Sequence, residues 1–300
     1  MSIQQLLVEL SKDQLLYYFI VIFLIATALE YTYVRKKHLN LYETQDTKAS
    51  FWMMFVTPIV EFAPKLGAFA LFYYLHETSP LRDVVQRQWW AWVLLIFLDD
   101  FAYYWFHRMN HEVRLLWAGH VTHHSAIKMN FATALRQGVG ERLHKFFFWL
   151  PLPLLGFDPL MIFTMMALNL FYQFWIHTEL IDRLPRPIEF VFNTPSHHRV
   201  HHASNVRYLD CNHGGIFIIW DRFFNTFSDE MQNETPRYGL TTNISSYHPV
   251  DLVTHEYQSI WKDWRRASNW GDRWRYLLLA PGWSHDGEDK RARVLRRNYS

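Results

Sequence analysis

Residues 99–124 read DDFAYYWFHRMNHEVRLLWAGHVTHH, an aromatic, apolar run that passes straight into two groups of histidines, and residues 197–202 return to the theme as HHRVHH. Histidine is expensive beside lipid and uncommon in an apolar core without a polar partner. Residues three or four apart on a helix share a face. His107 and His111 therefore project together, as do His120, His123 and His124, and again His198, His201 and His202. One tetrahedral ion takes about four ligands, so this many imidazoles suits two metal ions, each with a position left open. A single HxxxH pair arises on helices by chance and can be an exposed, unliganded pair. Three boxes, each at the edge of an apolar segment, point to metal.

Working outward, the composition fits a membrane protein with a polar body. Apolar residues make up 50% and aromatics 18%, yet the mean hydropathy is slightly negative. A net charge of +2 with no basic groove pattern excludes a nucleic-acid partner. The single cysteine, Cys211, excludes a disulfide framework and a cysteine-rich metal site. The N-terminal residues lack the pattern of a cleavable signal peptide.

The fold expected is an all-α integral membrane protein, a multi-span helical bundle with a cytoplasmic helical cap that carries a histidine-ligated dimetal site. A first span covers residues 15–34, close to the roughly 20 residues a crossing needs. Arg35, Lys36 and Lys37 follow it and place that end in the cytoplasm. A second lies within 51–75, interrupted by Pro58, Glu61, Pro64 and Lys65, and a third runs over 90–106 into the first box. Residues 146–176, broken by Pro151, Pro153, Gly156 and Pro159, read as a helical hairpin returning to the side it left. With that count all three boxes face the cytoplasm. Three regions follow: 1–88, an N-terminal transmembrane region; 89–235, the histidine-box catalytic membrane domain; and 236–300, a C-terminal cytoplasmic segment. The last ends in Lys290, Arg291, Arg293, Arg296 and Arg297, a surface for anionic lipid or simply a solvated tail.

Other residues gather around the boxes. Asp100 lies two helical turns before His107 and is expected to accept a ligand's outer imidazole N–H, fixing its tautomer; the alternative puts Asp99 and Asp100 at a water-facing helix end. Glu112 is a weaker candidate for the same duty. His177, in FYQFWIHTE at 171–179, reads as a ninth ligand or as an interfacial histidine bonded to Glu179. His197 is turned about 100° from its neighbour His198, so His198 is taken as the ligand and His197 as a support. His213 is left undecided. His38, His76, His144, His248, His255 and His285 are read as ordinary polar positions. Neutral nitrogen ligands suit iron, zinc, copper or nickel alike. An apolar, membrane-level site with two metals suits attack on lipid C–H bonds by activated oxygen.

These stretches resemble a known family. DDFAYYWFHRMNHEVRLLWAGHVTHHS, TALRQ, FYQFWIHTE, NTPSHHRVHH and IIWDRFFNTF are similar to those of the fatty acid hydroxylase and sterol desaturase superfamily of membrane di-iron enzymes. Within it they most resemble the branch of alkylglycerol monooxygenases. The likeness is close over residues 99–227 and weaker elsewhere. It implies metal ligation by His107, His111, His120, His123, His124, His198, His201 and His202, with His177 where many members have a further ligand. Fatty acid 2-hydroxylases carry a second histidine four residues earlier, where this chain has Gln173; that counts against the acyl-hydroxylase branch. The resemblance implies two irons per chain, O2 and tetrahydrobiopterin, with hydroxylation of the ether-bonded carbon of an alkylglycerol and release of a fatty aldehyde. The alternative is a sterol or acyl-lipid hydroxylase or desaturase fed by a cytochrome or ferredoxin. No CxxCH occurs, so such an electron donor would be a separate protein. A non-enzymatic metal-handling scaffold is a third reading, but its histidines should line a path across the bilayer rather than cluster on one side.

Overall fold

The computed structural model describes residues 15–299; the N-terminal residues on which the signal-peptide reading rests lie outside that range. Its regular elements are helical, and among the described residues strand-like pairing is limited to two isolated bridges, Phe192 with Phe217 and Ala203 with Tyr238. The principal helices are α1 (Leu15–Lys36), α2 (Thr44–Val60), α3 (Phe62–Thr78), α4 (Trp89–Glu112), α5 (Arg114–His124), α6 (Pro159–Trp175), α7 (Pro195–His201), α8 (Pro249–Arg266) and α9 (Trp270–Leu278).

Local sequence explains where several of them start. Asp158 accepts the Leu160 N–H while Pro159 occupies the first helical position, so α6 opens without wasting a donor. Glu43 accepts the Asp46 N–H at the head of α2, and Asn269 accepts the Asp272 N–H at the head of α9. Between α2 and α3 the axis bends by 48°. Pro58 and Pro64 flank that bend and remove helix donors on either side of Glu61.

Among the described residues, one helix is long and apolar enough to cross a bilayer, Tyr18–Lys36 within α1; the bent pair α2 and α3 passes as a second if it forms one broken span. The expected third span, 90–106, coincides with the start of a single 24-residue helix, α4, which continues past Phe106 through the whole first box. The expected hairpin at 146–176 is a 3-10 turn at Phe146–Trp149, a short helix at Pro151–Leu154, and α6, which has 17 residues. Pro151 and Pro159 each start a helix here rather than merely breaking one.

The main core joins α3, α4 and α6 through Phe69, Phe72, Leu95, Phe106, Trp149 and Phe163. A second cluster seats α1 on α6, with the Phe23 and Phe174 rings stacked at 4.0 Å. Several polar ties lie inside this apolar frame. Asp99 on α4 accepts from the Trp149 indole (2.7 Å) and Asn169 of α6 (2.9 Å). Glu30 on α1 accepts from the hydroxyls of Tyr42 and Thr178 and from the Phe131 N–H, so α1 is fastened to the residue that follows His177. Beyond residue 236 the chain packs straight onto the second box. Buried Arg114 donates to Glu256 (2.7 Å), Asp263 (2.7 Å) and Ser259 (2.9 Å) of α8, and Thr122 donates to the Leu252 carbonyl.

Candidate metal centre

Helices α4, α5 and α7, with His202 just past α7 and His177 two residues past α6, bring nine histidines into one buried cluster that divides into two groups. The first holds His107, His111, His120, His124 and His201; the second holds His123, His177, His198 and His202. Within each group one nitrogen per ring lies within 4.8 Å of all the others. The groups share a wall, where the His124 and His202 rings lie 4.5 Å apart.

Helix geometry explains the division. Along α5, His120 and His124 are one turn apart and enter the first group, whereas His123 enters the second. Along the third box, His198 and His202 pair in the second group and His201 enters the first. The second and third boxes therefore serve both groups, whereas His107 and His111 of the first box both enter the first. The reading that His120, His123 and His124 project together, and likewise His198, His201 and His202, is corrected to this extent: an i, i+3 pair is offset by about 60° and adjacent residues by about 100°, enough to aim them at separate centres.

Protonation shows what the groups are suited to hold. His123 donates from Nδ1 to the Arg136 carbonyl (3.1 Å) and His177 from Nδ1 to the Gln173 carbonyl (2.7 Å). A carbonyl only accepts, so both rings carry their proton on Nδ1 and a lone pair on Nε2. Yet those Nε2 atoms lie 3.2 Å apart, where lone pairs repel unless a cation lies between them. The same close approach recurs between Nε2 of His107 and His120 (3.1 Å), His120 and His124 (3.1 Å), and His177 and His198 (2.8 Å). Ligands at right angles around a metal, with bonds of about 2.1 Å, would sit about 3.0 Å apart. His111 Nε2 and His201 Nε2 are buried with no other partner. The residues fit two metal ions.

The outer nitrogens are held by groups distant in sequence. His107 donates to the His213 carbonyl (2.9 Å), His201 to the Cys211 carbonyl (2.9 Å), and His111 Nδ1 meets Asp210 Oδ1 at 3.2 Å. One strap, residues 210–213, thus anchors three rings of the first group. Asp210 and Asn212 adopt left-handed backbone (φ 50° and 60°), a region Asp and Asn tolerate better than most. Asn212 ties the strap to the His197 and Ser228 carbonyls. Asp221 accepts the N–H groups of His213 and Gly214 (both 2.7 Å) and the Thr226 hydroxyl (2.6 Å). Burial lifts the Asp221 carboxyl to about 6 against those three donors.

His120 Nδ1 stands 3.3 Å from Glu141 Oε1. Burial opposes the charge of Glu141, but the His120 ring, Lys145 and His144 outweigh it and hold the carboxyl down at about 2. Asn110 donates to Glu141 and its own oxygen lies 2.7 Å from His144 Nε2. The Gly138 backbone presses so closely on α5 that a Cβ there would overlap the Gly119 carbonyl, the residue before His120.

Asp100 does not accept an imidazole N–H. It is buried, but its oxygens accept the Ile216 N–H (2.6 Å), the Phe217 N–H (3.0 Å), the Trp220 indole (3.0 Å) and Asn169 (3.1 Å). It fixes the loop after the strap, because α4 turns Asp100 toward that loop. Glu112 pairs with Arg108 (2.8 Å) instead. His197 joins neither group and sits 3.7 Å from Glu189. His213 is fully buried against His111 and His107, outside both groups, with neither ring nitrogen partnered. Glu141, Asp210 and Asp221 escape a reading based on helical spacing, since each meets its partner across a loop. The Asp-Cys-Asn run at 210–212 is the one available hint, as a turn-forming pattern.

Residues 92–226 match the fatty acid hydroxylase family. Among curated proteins, the chain is similar to alkylglycerol monooxygenase of Homo sapiens, 42% identical over 211 residues that cover 70% of this chain and 46% of that protein. It is also similar to alkylglycerol monooxygenase of Danio rerio, 42% identical over 195 residues (65% and 43%). A more distant likeness is to ornithine lipid hydroxylase OlsE of Rhizobium tropici, 30% identical over 155 residues (51% and 46%). The match spans less than half the length of each of these relatives. No solved structure matches.

Proposed function

We propose that the chain, whose residues 92–226 match the fatty acid hydroxylase family, is a membrane di-iron monooxygenase that hydroxylates the ether-bonded carbon of an alkylglycerol. The observation that carries the reading is the pair of buried histidine groups whose Nε2 atoms face one another as lone pairs. In this reading His107, His111, His120, His124 and His201 hold one iron and His123, His177, His198 and His202 the other. The named relatives supply the substrate class. The metal site lies on the cytoplasmic side of a multi-pass chain, with residues 1–88 as the membrane region, 89–235 as the catalytic domain and 236–300 as a cytoplasmic segment packed on α5.

The reaction takes R–CH2–O–R′, O2, two electrons and two protons to R–CH(OH)–O–R′ and water, after which the hemiacetal falls into R–CHO and R′–OH. Tetrahydrobiopterin is the two-electron donor. Bound iron would supply the binding and reductive cleavage of O2. The protein's own groups hold the imidazoles in one tautomer through the Arg136, Gln173, Cys211 and His213 carbonyls, so each ring presents a lone pair without reorganising. Burial of all nine rings at 2–5% exposure keeps bulk water from the centre.

The test is purified protein in lipid nanodiscs, loaded anaerobically with ferrous iron, then given an alkylglycerol, tetrahydrobiopterin and O2. About two irons per chain and release of fatty aldehyde support the proposal. The distant hydroxylase relative acting on ornithine lipid favours a second reading, an acyl-lipid hydroxylase fed by a protein reductase. Two irons, no aldehyde and reductase-dependent turnover of an acyl lipid would select it. Intact protein that binds no metal overturns both.

A further inference from the structure

The two histidine groups differ in what stands behind them. In the first, two outer nitrogens face carboxylates: His111 meets Asp210 at 3.2 Å and His120 meets Glu141 at 3.3 Å. In the second, the outer nitrogens of His123 and His177 face only the Arg136 and Gln173 carbonyls, and His198 Nδ1 has no partner. Glu141 also acts electrostatically on His123, but it pairs with His120, and the Arg136 side chain is neutralised by Asp46 in a buried pair. The first group also offers five rings and the second four.

A divalent ion surrounded by neutral imidazoles in a dry interior is an uncompensated charge, and that is costly. A carboxylate behind a ligand ring lowers this cost and makes the ring a stronger donor. Two such carboxylates serve the five-ring position and none of the observed anchors of the four-ring position is an acid. Building on the two-metal reading above, we propose that Asp210 and Glu141 are positioning residues that make the five-histidine position the tight one. The four-histidine position is the labile one, filled last and emptied first.

The variants Asp210→Asn and Glu141→Gln keep shape and an acceptor oxygen while removing the charge. Asn tolerates the left-handed backbone of position 210, and the Asp210 side chain is about a quarter exposed, so folding is not at stake there. Wild-type protein in nanodiscs is loaded anaerobically with ferrous iron and challenged with a ferrous chelator, and released iron per chain is followed in time. Release in two phases of one iron each is expected. Each charge-removing variant should speed the slow phase by about 10- to 100-fold, the usual range for a group behind a metal ligand, and leave the fast phase alone. His198→Ala should abolish the fast phase and keep the slow one. Release of both irons in one phase, or variants that leave the slow phase unchanged or speed only the fast one, would overturn this inference while the two-iron reading stands. Wild-type protein that takes up no iron would overturn both.

Discussion

Replacing Asp221 by Ala removes the acceptor for three donors without touching a histidine. The His213 and Gly214 N–H groups at 2.7 Å and the Thr226 hydroxyl at 2.6 Å all point at its carboxylate, which is fully buried. Thr226 can turn toward the Tyr104 hydroxyl 3.0 Å away, but the two backbone donors have no such recourse. Leaving a buried donor unsatisfied costs about 1–3 kcal/mol, so the two together should cost roughly 2–6 kcal/mol. Asp221→Asn should recover only part of this, because its NH2 faces one of the two N–H groups. The strap from Asp210 to His213 then loses its fixed place, and with it the supports of His107, His111 and His201. Asp83→Asn serves as the control, since that side chain is 86% exposed and a surface change of this kind stays within about 0.5 kcal/mol. The assay is thermal unfolding of metal-free protein in a mild detergent, paired with iron content after loading. Asp221→Ala that unfolds with the control and binds wild-type iron would refute the strap as the support of the first histidine group.

Three further outcomes follow from the geometry. His123→Ala should lower iron content and abolish lipid turnover while the protein stays in the membrane fraction; full activity in that variant would remove His123 from the centre. Arg136→Met should destabilise the fold by about 3–5 kcal/mol by leaving buried Asp46 without its cation, and adding Asp46→Leu should recover part of the loss, the Ile127 N–H being left without its acceptor, as a double-mutant cycle on unfolding midpoints would read. Gly138→Ala forces a methyl group into the Gly119 carbonyl, so folded yield from membranes should fall sharply; wild-type yield would show that the 138–141 segment can move away from α5.

The histidines were legible because a 3.6-residue repeat writes itself into spacing: His107 with His111, and His198 with His202, are neighbours in sequence and in space. The same periodicity misled where boxes were treated as single faces, since His123 and His201 leave their own boxes for the opposite group. Asp100 was legible as a buried acid but not by its partners, because Ile216 and Phe217 lie 116 and 117 residues away. The carbonyls that fix the tautomers leave no trace in residue type at all, since any residue at 136, 173 or 211 offers one. Apolarity alone does not disclose how α4 divides its side chains: Leu95 and Phe106 join Phe69 and Phe72 in the core, whereas Trp89, Val93, Leu94 and Phe97 stay exposed.

The strap sets an order on biosynthesis. Asp210 lies 99 residues beyond His111, and the His213 carbonyl 106 residues beyond His107. At the usual pace of about 5–20 residues per second, the first box spends several seconds outside the ribosome before its supports are made. During that interval its rings are free to choose either tautomer and to take a stray ion in the wrong geometry. Correct loading therefore belongs after synthesis of residue 221, when Asp221 can close the strap, and any helper that guards this chain has its work between the second box and that point.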